Sequence, residues 1–543
     1  MKKILALVLA LFLLIACCGC KDNNKTVSKK PTKNETTQTD DSNDAASDEY
    51  CLAVVDTTYP YNEWMEEEEE STEEDGYVIE KVVQTLDTKW YGANTAVKSS
   101  RSDAKATELR NKILNSANTD VSKIKGTIYY VSPKGNNKND GKSPATAVRD
   151  VNADIFRMGD IISGDAVLFE RGGLWRLTST FKCEEGVTYG SYGTGNKPSF
   201  YASAQNYADS SLWIPSNLKN VWKLTVADTD IGLIAFNYGE LVGVKKFNGI
   251  VSLEKNGDFY YNKAQDTLYV YCNKGNPGKV YENIEVALRF PIITAGYPGI
   301  VIDNLCLKYT GTFGIYMYNG SNTVISNCEI GFIGGAIQSG NLRYGNGIQS
   351  WNGAENQVVK NNWIYQVYDA GVTWQGDYSY LPEYGDVYKN ITYERNLIEY
   401  CTYSFEWWHA NNGATYDSPA TVENFKCINN ICRFAGYGFG AQRPDVGGSH
   451  IKGFQHQFPN AKGNVISGNI FDLSLDAMVD WRIQGAKYNG EWDVKDNEWY
   501  KAPTKLSTIF IYDGSWLSGT SQSALENAVS KFDKKPAKVE WIS

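Results

Sequence analysis

The sequence predicts an all-β fold, a solenoid of stacked parallel coils, on three observations. A segment recurs: VISNCEI (324–330), VVKNNWI (358–364), ITYERNLI (391–398), FKCINNIC (425–432) and VISGNIF (465–471). Aligned on Cys328, Asn362, Asn396, Asn430 and Asn469, the copies follow one another at equal steps, apart from a slightly longer last one. VIDNLCL (301–307) fits one shorter step earlier, at Leu305. The units are β-branched and alternate with period two, which rejects a helical repeat of about the same length. An asparagine stands at one fixed place per unit. That suits a tight bend, because Asn tolerates left-handed backbone, and stacked amides can bond along a column. The short first step is the predicted basic coil, and the longer steps carry insertions. The composition of 49 Gly, 36 Tyr and 15 Trp in 543 residues agrees with a turn-rich β chain.

Residues 1–20 read as a signal peptide, with Lys2 and Lys3 before an apolar run from Ile4 to Ala16. The run is short for a membrane span of about 20 residues. Leu14-Ile15-Ala16-Cys17 resembles the bacterial lipobox, which implies lipidation of Cys17 and an outward-facing protein anchored to the cell membrane. Residues 21–102 read as a disordered tether and acidic spacer, polar in 21–49 and acidic in 66–75. A helix is predicted at DAKATELRNKILNSA (103–117), within a 103–125 segment that caps the exposed end of the solenoid. The β-helix starts over 126–207. Residues 208–287 break the coil pattern and read as a β-rich insertion, with a hairpin at GDFYYNKAQDTLYVYC. The main coils occupy 288–485, and 486–543 is a C-terminal extension. The net charge of −10 argues against a nucleic-acid partner. Eight cysteines follow residue 20 without a CxxC pair and read mostly as buried thiols.

Three further stretches carry a likeness: TIYYVSPKGNNKNDGKSPATA (127–147), GDAVLFERGGLWR (164–176) and GVTYGSYGTGNKPSF (186–200). With the coil repeats, they resemble the pectate-lyase-like superfamily of right-handed parallel β-helices. The resemblance spans roughly residues 126–485. It implies that fold and a carbohydrate ligand, but not one reaction, since the superfamily holds lyases, glycosidases, esterases and binding proteins.

A second strand recurs in each unit: GIYMY (314–318), GIQSW (347–351), GVTWQ (371–375), SFEWW (404–408), GFGAQ (438–442) and AMVDW (477–481). Its second position, Ile315, Ile348, Val372, Phe405, Phe439 and Met478, reads as interior. Alternation then sends the third and fifth positions outward. The third holds Tyr316, Gln349, Thr373, Glu406, Gly440 and Val479. The fifth holds Tyr318, Trp351, Gln375, Trp408, Gln442 and Trp481. This predicts a solvent-facing strip of aromatics and amides suited to sugar rings, with Glu406 exposed at its middle and Asp480, oddly, inward. The long loops are expected to leave one corner and form one wall carrying Asp377, His409, Arg443, Asp445, His450 and His456. Arg343, in GNLRYGN (340–346), is expected in an opposite wall.

A glycoside hydrolase needs two carboxyl groups. Glu406 is the first candidate, its aromatic neighbours favouring a raised pKa, with Asp377 or Asp445 as partner. His409 and Arg443 complete the catalytic candidates. The alternative is a polysaccharide lyase acting by β-elimination on a uronic-acid polymer, with His409, Arg443, His450, Lys452 and Arg343 as base and neutralising cations. A non-catalytic glycan-binding surface protein is a third reading. No cofactor or metal site is predicted; the lyase reading needs cations or Ca²⁺ to neutralise the uronate carboxylate. The expected partners are a polysaccharide or oligosaccharide and the membrane, with the protein itself a monomer.

Overall fold

The computed structural model describes residues 100–151, 160–318, 320–377, 387–410, 421–443, 447–453, 460–482, 491–504 and 506–543; of Asp377, His409, Ala410 and Asn460 only the backbone is described. The signal segment with Cys17, the tether and acidic spacer as far as residue 99, Asp445 and His456 lie outside these residues, while Ser100 and Ser102 at the end of that span are buried, with Ser102 bonded to Asp472.

The chain winds through three sheets of ten strands each, and successive strands of a sheet come from successive coils. Almost all pairings are parallel, as between Val301–Asp303 and Val324–Ser326. This is a parallel β-helix, right-handed as parallel crossovers are in about 98% of cases. One continuous core runs along its axis from Tyr129 through Ile302, Ile364 and Ile451 to Phe510 and Phe532.

The asparagine column forms, with one change in its mechanism. The amides of Asn362, Asn396, Asn430, Asn469 and Asn497 are buried and bonded in series: each Nδ2 donates to the next residue's Oδ1 at 2.9–3.0 Å as far as Asn497. Asn497 Nδ2 in turn donates to Asp533 at 3.0 Å. These asparagines are not themselves left-handed. The residue before each one is: Asn361, Arg395, Asn429, Gly468 and Asp496 all have positive φ. The bend is thus made by one residue and fastened by the next.

The helix Asp103–Leu114 forms, but it does not cap an end. It lies as a strap across the sheet that holds Leu397–Glu399, Ile431–Ala435 and Glu498–Lys501. Lys105 pairs with Glu498 at 2.8 Å, Asp103 with Arg433, and Arg110 with Glu399 at 2.9 Å, each on a different coil. Beyond the helix Thr119 reaches Asp303 at 2.8 Å. Buried carboxylates at coil positions facing the strap need cations, and the helix supplies one of them through Arg110. The C-terminal extension, unreadable from sequence, continues the coils with Trp492–Lys495, Glu498–Lys501 and Thr508–Tyr512. Its helix Gln522–Phe532 buries Leu525, Ala528, Val529 and Phe532 on the end of the core and is the element that covers a solenoid end. The insertion forms a three-stranded and a five-stranded sheet around its own core of Leu224, Phe236, Phe259 and Val286. The seven described cysteines are free and buried.

Candidate functional site

The second sheet carries the column expected to hold the site. Eight of its ten strands are β1 (Ile315–Tyr318), β2 (Ile348–Trp351), β3 (Ala370–Asp377), β4 (Tyr403–Ala410), β5 (Ser449–Gly453), β6 (Val479–Trp481), β7 (Thr508–Tyr512) and β8 (Ser515–Ser518). Four registers agree with the sequence reading: Ile315, Ile348, Val372 and Phe405 are in line and buried in the core.

Two copies depart from the sequence reading. GFGAQ is not a strand. Phe439–Gln442 is a 3₁₀ turn on a detour that folds back over earlier coils, where the Phe439 N–H donates to Gln366 Oε1 at 2.9 Å. The detour approaches so closely that a Cβ on residue 438 would sit 1.9 Å from the Tyr400 carbonyl oxygen, so only glycine fits. The true rung is β5, with Ile451 in line with Phe405 and Val479. The last copy is therefore off by one residue. Val479, not Met478, occupies the second position, Asp480 points outward beside Lys452, and Trp481 is a core side chain 5.4 Å from the Trp407 ring. Gln442 is likewise outside the column: it accepts from Arg343 at 3.1 Å and donates to the insertion at the Gly243 carbonyl, 2.9 Å. Arg343 is no wall. It is buried, donates to the Gly335 and Gly232 carbonyls at 2.6 and 3.0 Å and stacks on Tyr368 at 4.4 Å, clasping insertion to coils.

The segments that follow β3, β4, β5 and β6 lie largely outside the described residues, but two residues expected in the wall do not follow a strand: Arg443 precedes β5 and reaches the site from the edge where the strands begin, and His450 lies on β5 itself. His450 lies in the core, 5.6 Å from the Phe471 ring and 3.1 Å from Ser404 Oγ, and burial pushes its pKa down to about 3. The side chains of His409 and Asp377 and the whole of Asp445 lie outside the described residues, so no role rests on them.

What assembles instead centres on Glu406. It projects from the outer face, as alternation predicts, yet it is only 7% exposed, not open to solvent. Gln349, Thr373, Lys452 and Asp480 of the same column are buried too. The Gln375 amide donates to Glu406 Oε2 at 2.8 Å. Burial raises the Glu406 carboxyl to about 8, the Asp369 carboxylate adding to the rise while Arg443 and Lys452 oppose it. Asp369 has no counterpart in the sequence reading. It stands at the corner just before β3 and pairs with Arg443 at 2.7 Å. Tyr403 lies between two cations, 5.7 Å from Arg443 and 5.5 Å from Lys452. Lys452 pairs with Asp480, and Arg482 bonds the same carboxylate at 2.8 Å. On the outer side Trp351 and Trp408 stack at 5.7 Å across the rung of Gln375, both half-buried. Tyr316 is half-buried beside Phe313, and Tyr318 is exposed.

The arrangement is a carboxyl group whose pKa is raised by burial, near a carboxyl group paired with Arg443, at the foot of an aromatic pair. Among the described residues, no three His, Cys, Asp or Glu side chains converge on a metal-sized site, and none is assigned as a ligand.

No family model and no curated protein matches the chain. Solved structures do. One described as a glycoside hydrolase is 8% identical, with 77% of this chain and 96% of that chain covered at a TM-score of 0.43. XylC in complex with xylose is 11% identical, covering 71% and 70% at 0.39. The polygalacturonase of Erwinia carotovora ssp. carotovora is 11% identical, covering 73% and 97% at 0.32. Likeness this distant concerns winding alone. The functional reading rests on the site.

Proposed function

We propose that this protein is an exported carbohydrate-active enzyme, and that it hydrolyses glycosidic bonds with Glu406 as general acid and Asp369 as the second carboxyl group. The observation that carries the reading is the pair itself: burial and the Asp369 charge raise the Glu406 pKa, which suits it for acid duty, while Asp369 is paired with the Arg443 cation. Glu406, protonated at neutral pH, gives its proton to the leaving glycosidic oxygen. Asp369, paired with Arg443, acts on the anomeric carbon or on the water that attacks it. Gln375 fixes the acid's orientation, and the Trp351–Trp408 pair supplies the apolar surface that a sugar ring's C–H face needs.

The cations required for β-elimination are already engaged, Arg443 with Asp369 and Lys452 with Asp480. This favours hydrolysis over the lyase reading and supports assigning both cations to the electrostatics of the carboxyl groups. The lipobox-like Cys17 supports a lipid-anchored protein on the outer side of the membrane, and loss of palmitate labelling in a Cys17→Ala chain is the expected check.

The test of the reaction is product analysis on a panel of plant and microbial polysaccharides. Hydrolysis yields new reducing ends and no unsaturated uronate. Unsaturated uronate products would overturn the hydrolase assignment, and retention of glycan without cleavage would leave only a binding protein.

A further inference from the structure

The column that holds Glu406 does not stop at the carboxyl pair. In register it continues from Glu406 to Lys452, Asp480 and Ile511, and the antiparallel turn sets Trp516 of β8 opposite Ile511. Ile511 stands outside the core cluster that takes in its neighbours Phe510 and Leu517, so it and Trp516 share the outward face. Trp516 is 62% exposed, the most exposed aromatic side chain among the described residues. It is nonetheless held in place. The Arg482 guanidinium sits 5.6 Å from its ring and bonds Asp480 through Nε at 2.8 Å. Asp480 is buried and also pairs with Lys452, which stands next to Glu406 in the column.

A tryptophan on the last hairpin of a sheet gains little by packing there, yet this one is oriented through a chain of ion pairs that starts beside the carboxyl pair. One side of the ring meets a cation, and more than half of the side chain is open to solvent. Arg482, itself 34% exposed, offers donors to hydroxyl groups alongside the open ring. An aromatic platform flanked by polar donors is the surface chemistry of a sugar site.

We propose that Trp516 and Arg482 form a remote glycan subsite on the same outer face as Glu406, so that the natural substrate is a polymer several sugar units long. The inference rests on the carbohydrate reading of the site. Four rungs separate Trp516 from Glu406, roughly 19 Å at about 4.8 Å per rung. A disaccharide seated at Glu406 does not reach Trp516, whereas an extended chain passing over the buried rungs between them does. Trp351 and Trp408 mark the near end of this path and Trp516 the far end.

The experiment is native affinity electrophoresis of the full chain in gels containing arabinoxylan, glucomannan, rhamnogalacturonan or polygalacturonate. It compares wild type, Trp516→Ala, Trp516→Phe and Glu406→Gln, with cleavage measured on the retarding polymer and on its di- to hexasaccharides. The expected result is retardation of wild type by at least one polymer, reduced about tenfold or more in affinity by Trp516→Ala and partly restored by Trp516→Phe. Cleavage of disaccharides is expected to be unchanged in Trp516→Ala, with loss growing with chain length. Glu406→Gln is expected to keep its retardation. Equal retardation of wild type and Trp516→Ala, or no retardation by any polymer, overturns the subsite. So does a Trp516→Ala protein that differs only in sedimenting as a smaller assembly, which would make the hairpin a contact between two copies of the chain. Retardation that depends on Trp516, without cleavage of any glycan, keeps the subsite and removes the hydrolase.

Discussion

Glu406→Gln separates the chemistry of the site from its cost to the fold. The side chain moves from a carboxylate range of 4.5 to about 8 on burial beside Asp369. Between those values the folded protein holds a proton that the unfolded chain has released. Stability from this group is therefore complete below about pH 4.5 and is lost as pH rises through about 8. At about 1.36 kcal/mol per pH unit, the loss is on the order of 3 kcal/mol at pH 7 and on the order of 5 kcal/mol above pH 8. Glutamine has the shape of the protonated acid and carries no charge to desolvate. The variant is expected to match wild type near pH 4.5 and to become progressively more stable above it. With about 2.1 cal/mol/K of unfolding entropy per residue over about 400 described residues, 1 kcal/mol shifts the midpoint by about 1 °C. Thermal melts should then show a gain of about 3 °C at pH 7 and about 5 °C at pH 9, while turnover disappears at every pH. A difference in Tm that does not change with pH would refute the burial argument, and unchanged turnover would remove Glu406 from the reaction.

Asp369→Asn deletes the neighbouring negative charge and leaves Arg443 facing Glu406 alone, so the Glu406 pKa is expected to fall; turnover should drop at least about 10²-fold with the fold intact, as read by circular dichroism and single-turnover kinetics. Full activity in this variant would exclude Asp369 as the second carboxyl group. Asn396→Ala cuts the amide ladder in its middle, stripping partners from the Asn362 amides and the Val359 carbonyl. At about 1–3 kcal/mol per orphaned buried group, a destabilisation of about 3–5 kcal/mol is expected in thermal melts, with little change in the turnover of the folded protein. A loss below about 1 kcal/mol would show that the ladder is decorative.

The coils were legible because their constraints recur: each turn needs a left-handed residue, a bonding asparagine and β-branched interior positions. The site was legible only where it lies on those repeats. Glu406, Gln375, Trp351 and Trp408 follow from period-two alternation along strands in register. Glu406 was expected in solvent because alternation gives the face of a residue, not what covers it. GFGAQ imitated a rung because it falls one regular repeat step after SFEWW and alternates apolar with small residues, while the real rung SHIKG spends a position on glycine. That error displaced Asp480 and Trp481 to the wrong faces. Asp369 sits at a corner that carries Gly345 and Thr402 on the adjacent coils, so no repeat marks it. Its partner Arg443 arrives on a detour whose path depends on packing against Tyr400 and Thr402, which no local pattern encodes.

The most direct test is the protonation state of Glu406 itself, read by infrared difference spectroscopy of wild type against Glu406→Gln across pH 5 to 9. The account predicts a carboxylic-acid C=O band that is present in wild type at pH 6, absent from the variant, and lost with a midpoint near pH 8. A carboxylate band already complete at pH 6 would contradict it and leave the site without its proton donor.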